Sequence, residues 1–161
     1  MAEENQQNAN AQEQQFSIQK IYVKDASFES PNSPTVFADG AWAPEVNLQI
    51  NTTHNSVGNN AFEVNLKITV TAKQNTKTAF LVEITQSGIF GMAGFPQEQL
   101  AGMLGAFCPE TLFPFAREVI SDLVVKGGFP QLLLAPVNFN ALYTQHLQQQ
   151  QAASATQNTA H

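Results

Sequence analysis

Cys108 invites a chemical interpretation because it is the single cysteine of the chain and begins the segment CPETLFPFAREVISDLV. At the start of a helix, the helix dipole lowers the pKa of a thiol and makes it a nucleophile, for which Glu110 or Arg117 would be the helpers. Against catalysis, no histidine is near in sequence, and Phe107 and Leu112 on either side are apolar. The sequence therefore favours a buried small hydrophobic residue, with a thiol enzyme as the alternative.

The residue types that commonly bind metals or nucleotides are present, but they lack the spacing that such sites require. The three histidines (His54, His146 and His161) are scattered and, with one cysteine, match no zinc pattern. The glycines of SGIFGMAG, spaced by three, fit neither the dinucleotide fingerprint nor a phosphate-binding loop. Gly102 and Gly105 are expected to permit close packing. We therefore expect no catalytic residues, no metal and no cofactor, and we assign the histidines no role.

The composition excludes some partners and favours others. In 161 residues, 7 Lys and Arg against 13 Asp and Glu give a net charge of −6, which disfavours nucleic acids and anionic lipids and suits cationic partners. Charged residues make up 12% of the chain, hydrophobic residues 43%, and 12 residues are Phe. Apolar surface is therefore expected to remain for contact with other chains. No signal peptide or membrane-spanning stretch is recognisable, which predicts a cytoplasmic protein without direct membrane insertion.

Four segments alternate polar and apolar residues with the period of two that is typical of half-exposed strands. A change of apolar phase between Ile18 and Ile21 in the first segment predicts a β-bulge. The polar segment AKQNTK (72–77) is short enough to join the last two strands as a hairpin. The predicted strands are 16–29, 45–51, 62–70 and 78–86.

A long proline-rich loop, SPNSPTVFADGAWAPE, separates the first two predicted strands. It carries Phe37 and Trp42, aromatic residues that are costly to leave in water unless they cover something. Long ordered loops often carry function, so we expect this loop to take part in the functional site.

From Pro96 onward the apolar residues follow spacings of three and four, which predicts helices. We expect one long helix that is broken or kinked near 108–114, where Pro114 removes a backbone donor, and that ends at Gly127-Gly128. Asn138 is the predicted N-cap of a second helix. Strands followed by helices indicate an α+β fold, with a four-stranded antiparallel sheet and both helices packed on one face.

The long helix carries more apolar surface than one sheet covers. A second stripe of Phe113, Ile120 and Val124 predicts a second neighbour, which we expect to come from another subunit. Both ends of the chain, 1–15 and 148–161, are rich in Gln, Asn and Ala and are predicted to be disordered. A single domain is expected over 16–147.

Three strings, QSGIFGMAGF, CPETLFPFARE and GGFPQLLLAPVNFNALY, are long and specific. On these strings the chain resembles the SecB family of bacterial protein-export chaperones, from about Phe16 to Leu147. The resemblance implies a homotetramer built as a dimer of dimers, with the long helices between the dimers and no catalysis. It also implies binding of unfolded preproteins in apolar grooves and their delivery to the SecA ATPase.

The resemblance further implies the roles of individual residues. The acidic face that docks SecA, through the zinc-bearing C-terminal module of SecA, maps onto Asp25, Glu29, Leu81 and Glu83. The matching neighbours are KDASFE and AFLVE. The groove that binds clients maps onto Phe37, Trp42, Val46, Leu48, Ile50, Leu142 and Tyr143. The positions sensitive for tetramer formation correspond to Val82, Ile84 and Gln86.

The chain departs from the family at two points, and three other functions remain as alternatives. Relatives can carry Phe where this chain has Tyr143, and the C-terminal tail, which helps to bind SecA in relatives, is nearly uncharged here. Besides the thiol enzyme that uses Cys108, the alternatives are a carrier of small hydrophobic ligands and a relative that assists a toxin–antitoxin pair.

Overall fold

The computed structural model describes residues 13–158. Strands come first and helices last, as the sequence predicts, and a short 3-10 turn, Thr35–Ala38, lies in the proline-rich loop. The strands are β1 (Gln15–Glu29), β2 (Glu45–Gly58), β3 (Ala61–Gln74) and β4 (Lys77–Ala93). The helices are α1 (Gln97–Gly102), a π-helical turn (Met103–Phe107), α2 (Cys108–Lys126) and α3 (Phe139–Asn158).

The strands form one antiparallel sheet in the order β1-β4-β3-β2. The predicted α+β fold with a four-stranded antiparallel sheet is confirmed. The register of β1 against β4 shifts between Ile18 and Lys20, where the sequence predicts a bulge, and again between Val23 and Asp25. β1 and β2 are the edge strands, so each keeps one side of its backbone free of the sheet.

Two tight hairpins join β2 to β3 and β3 to β4. The first turns at Asn59 and Asn60, with φ of 53° and 57°, and the second at Asn75 and Thr76, with φ of 48° and 70°. Positive φ at both central residues is the geometry whose twist matches that of paired strands, and asparagine tolerates it well. The hairpins let β2 and β4 run well beyond the predicted segments, to Gly58 and Ala93.

The sheet has one buried and one exposed face. On the face toward the helices, the even-numbered residues of β3 from Val64 to Gln74 and of β4 from Phe80 to Met92 are buried. The odd-numbered residues of β3 and β4 face away from the helices, and we call this side the outer face. Because side chains alternate along a strand, a polar outer face and an apolar inner face follow from the period-two pattern.

The helical layer runs without a break from Gln97 to Lys126. The expected irregularity near 108–114 differs in position, because the departure from α-helical geometry is the π-helical turn that precedes Cys108. Pro109 lies in the first turn of α2, and Pro114 lies inside α2 without ending it. The predicted end is confirmed: α2 ends at Lys126, and the Gly127 N–H donates to the Leu123 carbonyl at 2.9 Å.

Helix α3 begins where the sequence predicts but ends later. The Ala141 N–H donates to Asn138 Oδ1 at 3.0 Å, which confirms the predicted N-cap. The helix continues through residues 148–158, so the expected disordered tail is helical over that part, and Gln15 already belongs to β1. Residues 1–12 and 159–161 of the expected tails lie outside the described residues. In the described part of the chain, no helix is long and apolar enough to cross a membrane.

Gly105 in the π-helical turn fixes the distance to α3. A Cβ built on Gly105 would overlap the ring of Tyr143, whereas a Cβ on Gly102, one turn earlier, meets no atom within 4 Å. The predicted role of Gly105 in close packing therefore agrees with the structure. Gly102 is only a helix residue with open space beside it.

These two glycines make a matched pair for a stability measurement. We expect Gly105→Ala to lower the free energy of unfolding by about 1–3 kcal/mol, because Tyr143 must move and α3 with it. Gly102→Ala should be neutral or stabilise by about 0.5–1 kcal/mol, since alanine loses less backbone entropy in a helix. Urea denaturation at equal protein concentration measures both. Equal effects of the two substitutions would contradict the role given to Gly105.

Candidate functional site

The four residues expected to dock SecA lie together on the outer face of the sheet. Glu29 in β1 is paired with Leu81 in β4, and Glu83 is paired with Ser27. Asp25 is paired with Thr85, two residues farther along β4 on the same face. We call Asp25, Glu29, Leu81 and Glu83 the acidic patch.

The acidic patch keeps part of its charge exposed. Asp25 and Glu29 are exposed, whereas Leu81 and Glu83 are half-buried. Lys67 of β3 forms an ion pair with Glu83, with 2.9 Å between Nζ and Oε1. Since this pair is open to solvent, it neutralises Glu83 only weakly and can exchange partners.

A polar network beside the patch ties β1 to β3 across β4. Glu63 accepts hydrogen bonds from Lys24 at 2.7 Å, from Asn65 at 3.0 Å and from the Tyr22 hydroxyl, and Ser87 donates to Asn65 at 2.6 Å. The bonds from Lys24 and Tyr22 lower the pKa of Glu63 to about 2. Burial, followed by the bond to Glu63, raises the pKa of Tyr22 to about 12. This network therefore holds the strands beside the acidic patch in one arrangement and does not itself offer a free carboxylate.

On the inner face, β2 is left largely uncovered by the helices. Helix α2 packs mainly against β4 and β3. The inner residues of β2 pair with β3 residues that are fully buried: Val46 with Ala72, Leu48 with Val70, and Ile50 with Ile68. Yet Val46 is 40% exposed and Leu48 38% exposed. The inner face of the sheet is therefore core at β3 and open apolar surface at β2, one strand away. The exposed apolar side chains of β2 form the floor of a groove.

Helix α3 forms the wall of the groove at one end. Leu142 is 40% exposed, and Tyr143 is packed against the π-helical turn. Ile50, Leu142 and Tyr143 line a common cavity of about 350 Å³. The structure therefore brings Ile50 of β2 together with the expected client-binding residues of α3, whereas Val46 and Leu48 lie farther along β2, outside this cavity. His54 and His146, to which the sequence assigned no role, line the same cavity.

The proline-rich loop closes the other end with an aromatic cluster. Phe129, just after α2, lies at centroid distances of 5.1 Å from Phe37, 5.3 Å from Trp42 and 5.1 Å from Phe80. Trp42 is partly buried against these rings, while Phe37 remains 51% exposed. Sequence reasoning missed Phe129 and Phe80, although an aromatic residue directly after a glycine-capped helix end is a signal for such packing.

The structure places Val82, Ile84 and Gln86 away from every surface. All three lie on the inner face of β4 and are at most 2% exposed within this single chain. Gln86 Nε2 donates to the Tyr22 carbonyl at 3.1 Å, and its Oε1 has no partner among the described residues. These residues therefore belong to the core of the single chain.

The environment of Cys108 disfavours the catalytic interpretation. The side chain is fully buried, and burial raises the pKa of the thiol to about 12, so that it stays protonated at neutral pH. Arg117, one of the suggested helpers, lies over the Phe113 ring at 5.9 Å. Among residues 13–158, no group of three or more His, Cys, Asp and Glu side chains is placed to hold a metal ion.

A second apolar surface follows the edge strand β1. Phe16, Ile18 and Val23 are exposed at 36%, 48% and 43%, and Phe107 and Phe115 of the helical layer are exposed as well. Phe16 and Phe107 make an edge-to-face contact at 5.3 Å, so strand and helix share this surface. Its size and its free strand edge are typical of surfaces that contact another chain.

Comparison with known proteins identifies the family of this chain. The family model described as preprotein translocase subunit SecB matches residues 9–150. The chain is 56% identical over 161 residues to a protein-export protein SecB of Nitrosococcus oceani, covering 98% of each chain. It is 54% identical over 158 residues to a protein of the same name from Methylococcus capsulatus, covering 97% of this chain and 99% of the other.

A solved structure shows the same fold at much lower identity. It is a SecB-like chaperone of Mycobacterium tuberculosis in complex with a peptide from an antitoxin, with a TM-score of 0.63 and 18% identity. The similarity covers 76% of this chain and 90% of the other. Together with the family model and the relatives, the fold leads to one conclusion: the chain belongs to the SecB family of protein-export proteins.

Proposed function

We propose that this chain is an export chaperone that binds unfolded precursor proteins, keeps them competent for translocation and delivers them to SecA. The observation that carries the proposal is the exposed inner face of β2, where Val46 and Leu48 lie open beside the core. Membership of the SecB family supports the same function. We place the protein in the cytoplasm, where precursors wait before export.

The groove suits clients of many sequences. Hydrophobic contact is non-directional and contributes roughly 25 cal/mol per Å² removed from water, so apolar side chains of any order gain from it. The free edge of β2 also offers backbone donors and acceptors to an extended segment. Several weak contacts along one unfolded chain then add up to useful avidity without a consensus motif.

We propose the acidic patch as the docking site for the zinc-bearing module of SecA. The patch lies on the outer face and the groove on the inner face, so that the chaperone can hold a client and SecA at the same time. The exposed carboxylates of Asp25 and Glu29 suit a cationic partner surface. Any zinc at this contact belongs to SecA.

We further propose a homotetramer built as a dimer of dimers. The apolar surface along β1, which includes Ile18 and Phe115, supports self-association, because a single chain leaves it in water. The long helix lies next to this surface, which suits packing between dimers. Val82, Ile84 and Gln86 influence assembly indirectly, by setting how α2 lies on the sheet.

Client capture is tested by changing the groove at one position. We expect Leu48→Asn to weaken the binding of an unfolded precursor by about tenfold, because a buried apolar contact is replaced by an amide. The measurement is the delay in refolding of a slowly folding precursor at stoichiometric chaperone concentration. Gln49→Asn, on the outer face of the same strand, is the matched control and should behave as wild type. If the wild-type protein causes no delay, the chaperone function is wrong.

SecA docking is tested with two substitutions that change the charge at the acidic patch in opposite directions. Glu83→Gln removes a carboxylate and should weaken binding of SecA by up to about fivefold. Lys67→Gln removes a cation beside Glu83 and should strengthen binding by a smaller factor, about twofold, because the exposed ion pair neutralises Glu83 only weakly. Lys126→Gln is the control, since it breaks an exposed ion pair with Asp122 on α2, outside the patch. Calorimetric titration at low and high salt measures the affinities. Weaker binding of Lys67→Gln would contradict the docking site, and both variants should still capture clients.

Assembly is tested on the β1 surface. Wild-type protein should give four times the single-chain mass of 17.5 kDa in size-exclusion chromatography with light scattering. Ile18→Asp should shift the distribution to smaller species, because it places a charge in a desolvated contact. Lys20→Asp, in the same strand, is the control for added negative charge. A wild-type protein that elutes as a single chain would refute the tetramer.

A further inference from the structure

The end of the groove nearest α3 carries two histidines on facing elements. His54 lies on the inner face of β2, and His146 lies on α3; both are exposed and both line the 350 Å³ cavity with Tyr143. They are two of the three histidines in the chain. The remaining lining residues are apolar or carry neutral amide and hydroxyl groups: Ile50, Asn51, Thr52, Gly105, Phe139, Leu142, Gln145 and Gln149.

No fixed charge competes with the histidines in this cavity. The π-helical turn contains no acidic or basic residue, and α3 contains none besides His146. The one carboxylate of β2 is Glu45, at the other end of the strand on the outer face. From β3, the residue paired with His54 is Val64, whereas Glu63 and Lys67 lie on the outer face. The His146 ring lies beside the side chain of Gln150 on the same helix, with 3.0 Å between the two Nε2 atoms.

Histidine is the side chain whose ordinary titration falls between pH 5 and 8. The ordinary pKa values of carboxyl and lysine groups lie outside that range. Since no other charged side chain lines the cavity, protonation of the two rings would give this neutral end of the groove up to two positive charges.

We propose that His54 and His146 make client selection dependent on pH. When both rings are neutral, this end of the groove accepts apolar and basic segments alike. When both rings are imidazolium, it favours segments that carry Asp or Glu and disfavours segments that carry Lys or Arg. By linkage, a bound acidic segment raises the proton affinity of the rings to the same extent that protonation tightens its binding. This inference rests on the proposed client-binding function of the groove.

The test uses two histidine-free unfolded peptides that share one apolar sequence. One peptide carries Glu at two positions and the other carries Lys at the same positions, and their affinities for the tetrameric protein are measured at pH 7.5 and pH 5.5. For wild type at low salt, we expect the Glu peptide to bind about fivefold more tightly at pH 5.5 and the Lys peptide about fivefold more weakly, as two partly screened charges predict. High salt should reduce both changes.

The decisive variant is His54→Asn with His146→Gln. It should lose most of the pH dependence of binding, measured for each peptide as the ratio of the variant's own affinities at pH 5.5 and pH 7.5. His161→Asn removes the remaining histidine and should keep the wild-type behaviour. A double variant that retains the full pH dependence, or a wild type whose two affinities do not change with pH, overturns the inference while leaving the chaperone function intact. If neither peptide binds at either pH, the proposed function itself is wrong.

Discussion

The structure depends on a mismatch in width between its two layers. Four strands make the sheet, but one long helix covers mainly the central pair, β3 and β4. The apolar pattern nevertheless continues across the whole inner face, as the pairing of exposed Leu48 with fully buried Val70 demonstrates. A monomer built in this way cannot bury all of its hydrophobic residues. It must leave one apolar strip along β2 and another along β1, and these strips are the surfaces on which the proposed binding and assembly depend.

The two faces of one sheet keep two kinds of recognition apart. Alternation along β4 puts Val82 and Ile84 into the core and puts Leu81 and Glu83 on the outer face, only one residue away. The proposed client groove and the acidic patch therefore have no side chain in common. The network around Glu63 adds rigidity, because it joins three strands beneath the patch through charged and neutral hydrogen bonds.

Period-two alternation predicted the strands, the bulge after Ile18 and the faces on which Val46 and Glu83 lie, since these follow from backbone geometry alone. It did not predict which apolar face the helix covers. The expectation that Val82 matters for assembly came from the family resemblance alone, and within the single chain Val82 lies in the core. Apolar spacing likewise identified the long helix but not its π-helical turn, because a few residues of wider helix hardly change the pattern.

The C-terminal part of α3 was missed for a different reason. Residues 148–158 have no apolar stripe, but glutamine and alanine are good helix formers, and the helix already nucleated at Asn138 needs little further stabilisation to continue. The dimensions of the groove depend on how the start of this helix is held. Gly105 permits the ring of Tyr143 to lie against the π-helical turn, and Phe139 packs edge-on against Phe113 at 5.7 Å. With its first turn anchored in the core, α3 keeps Leu142 beside the cavity that Ile50 also lines, so that the groove wall is held at its base.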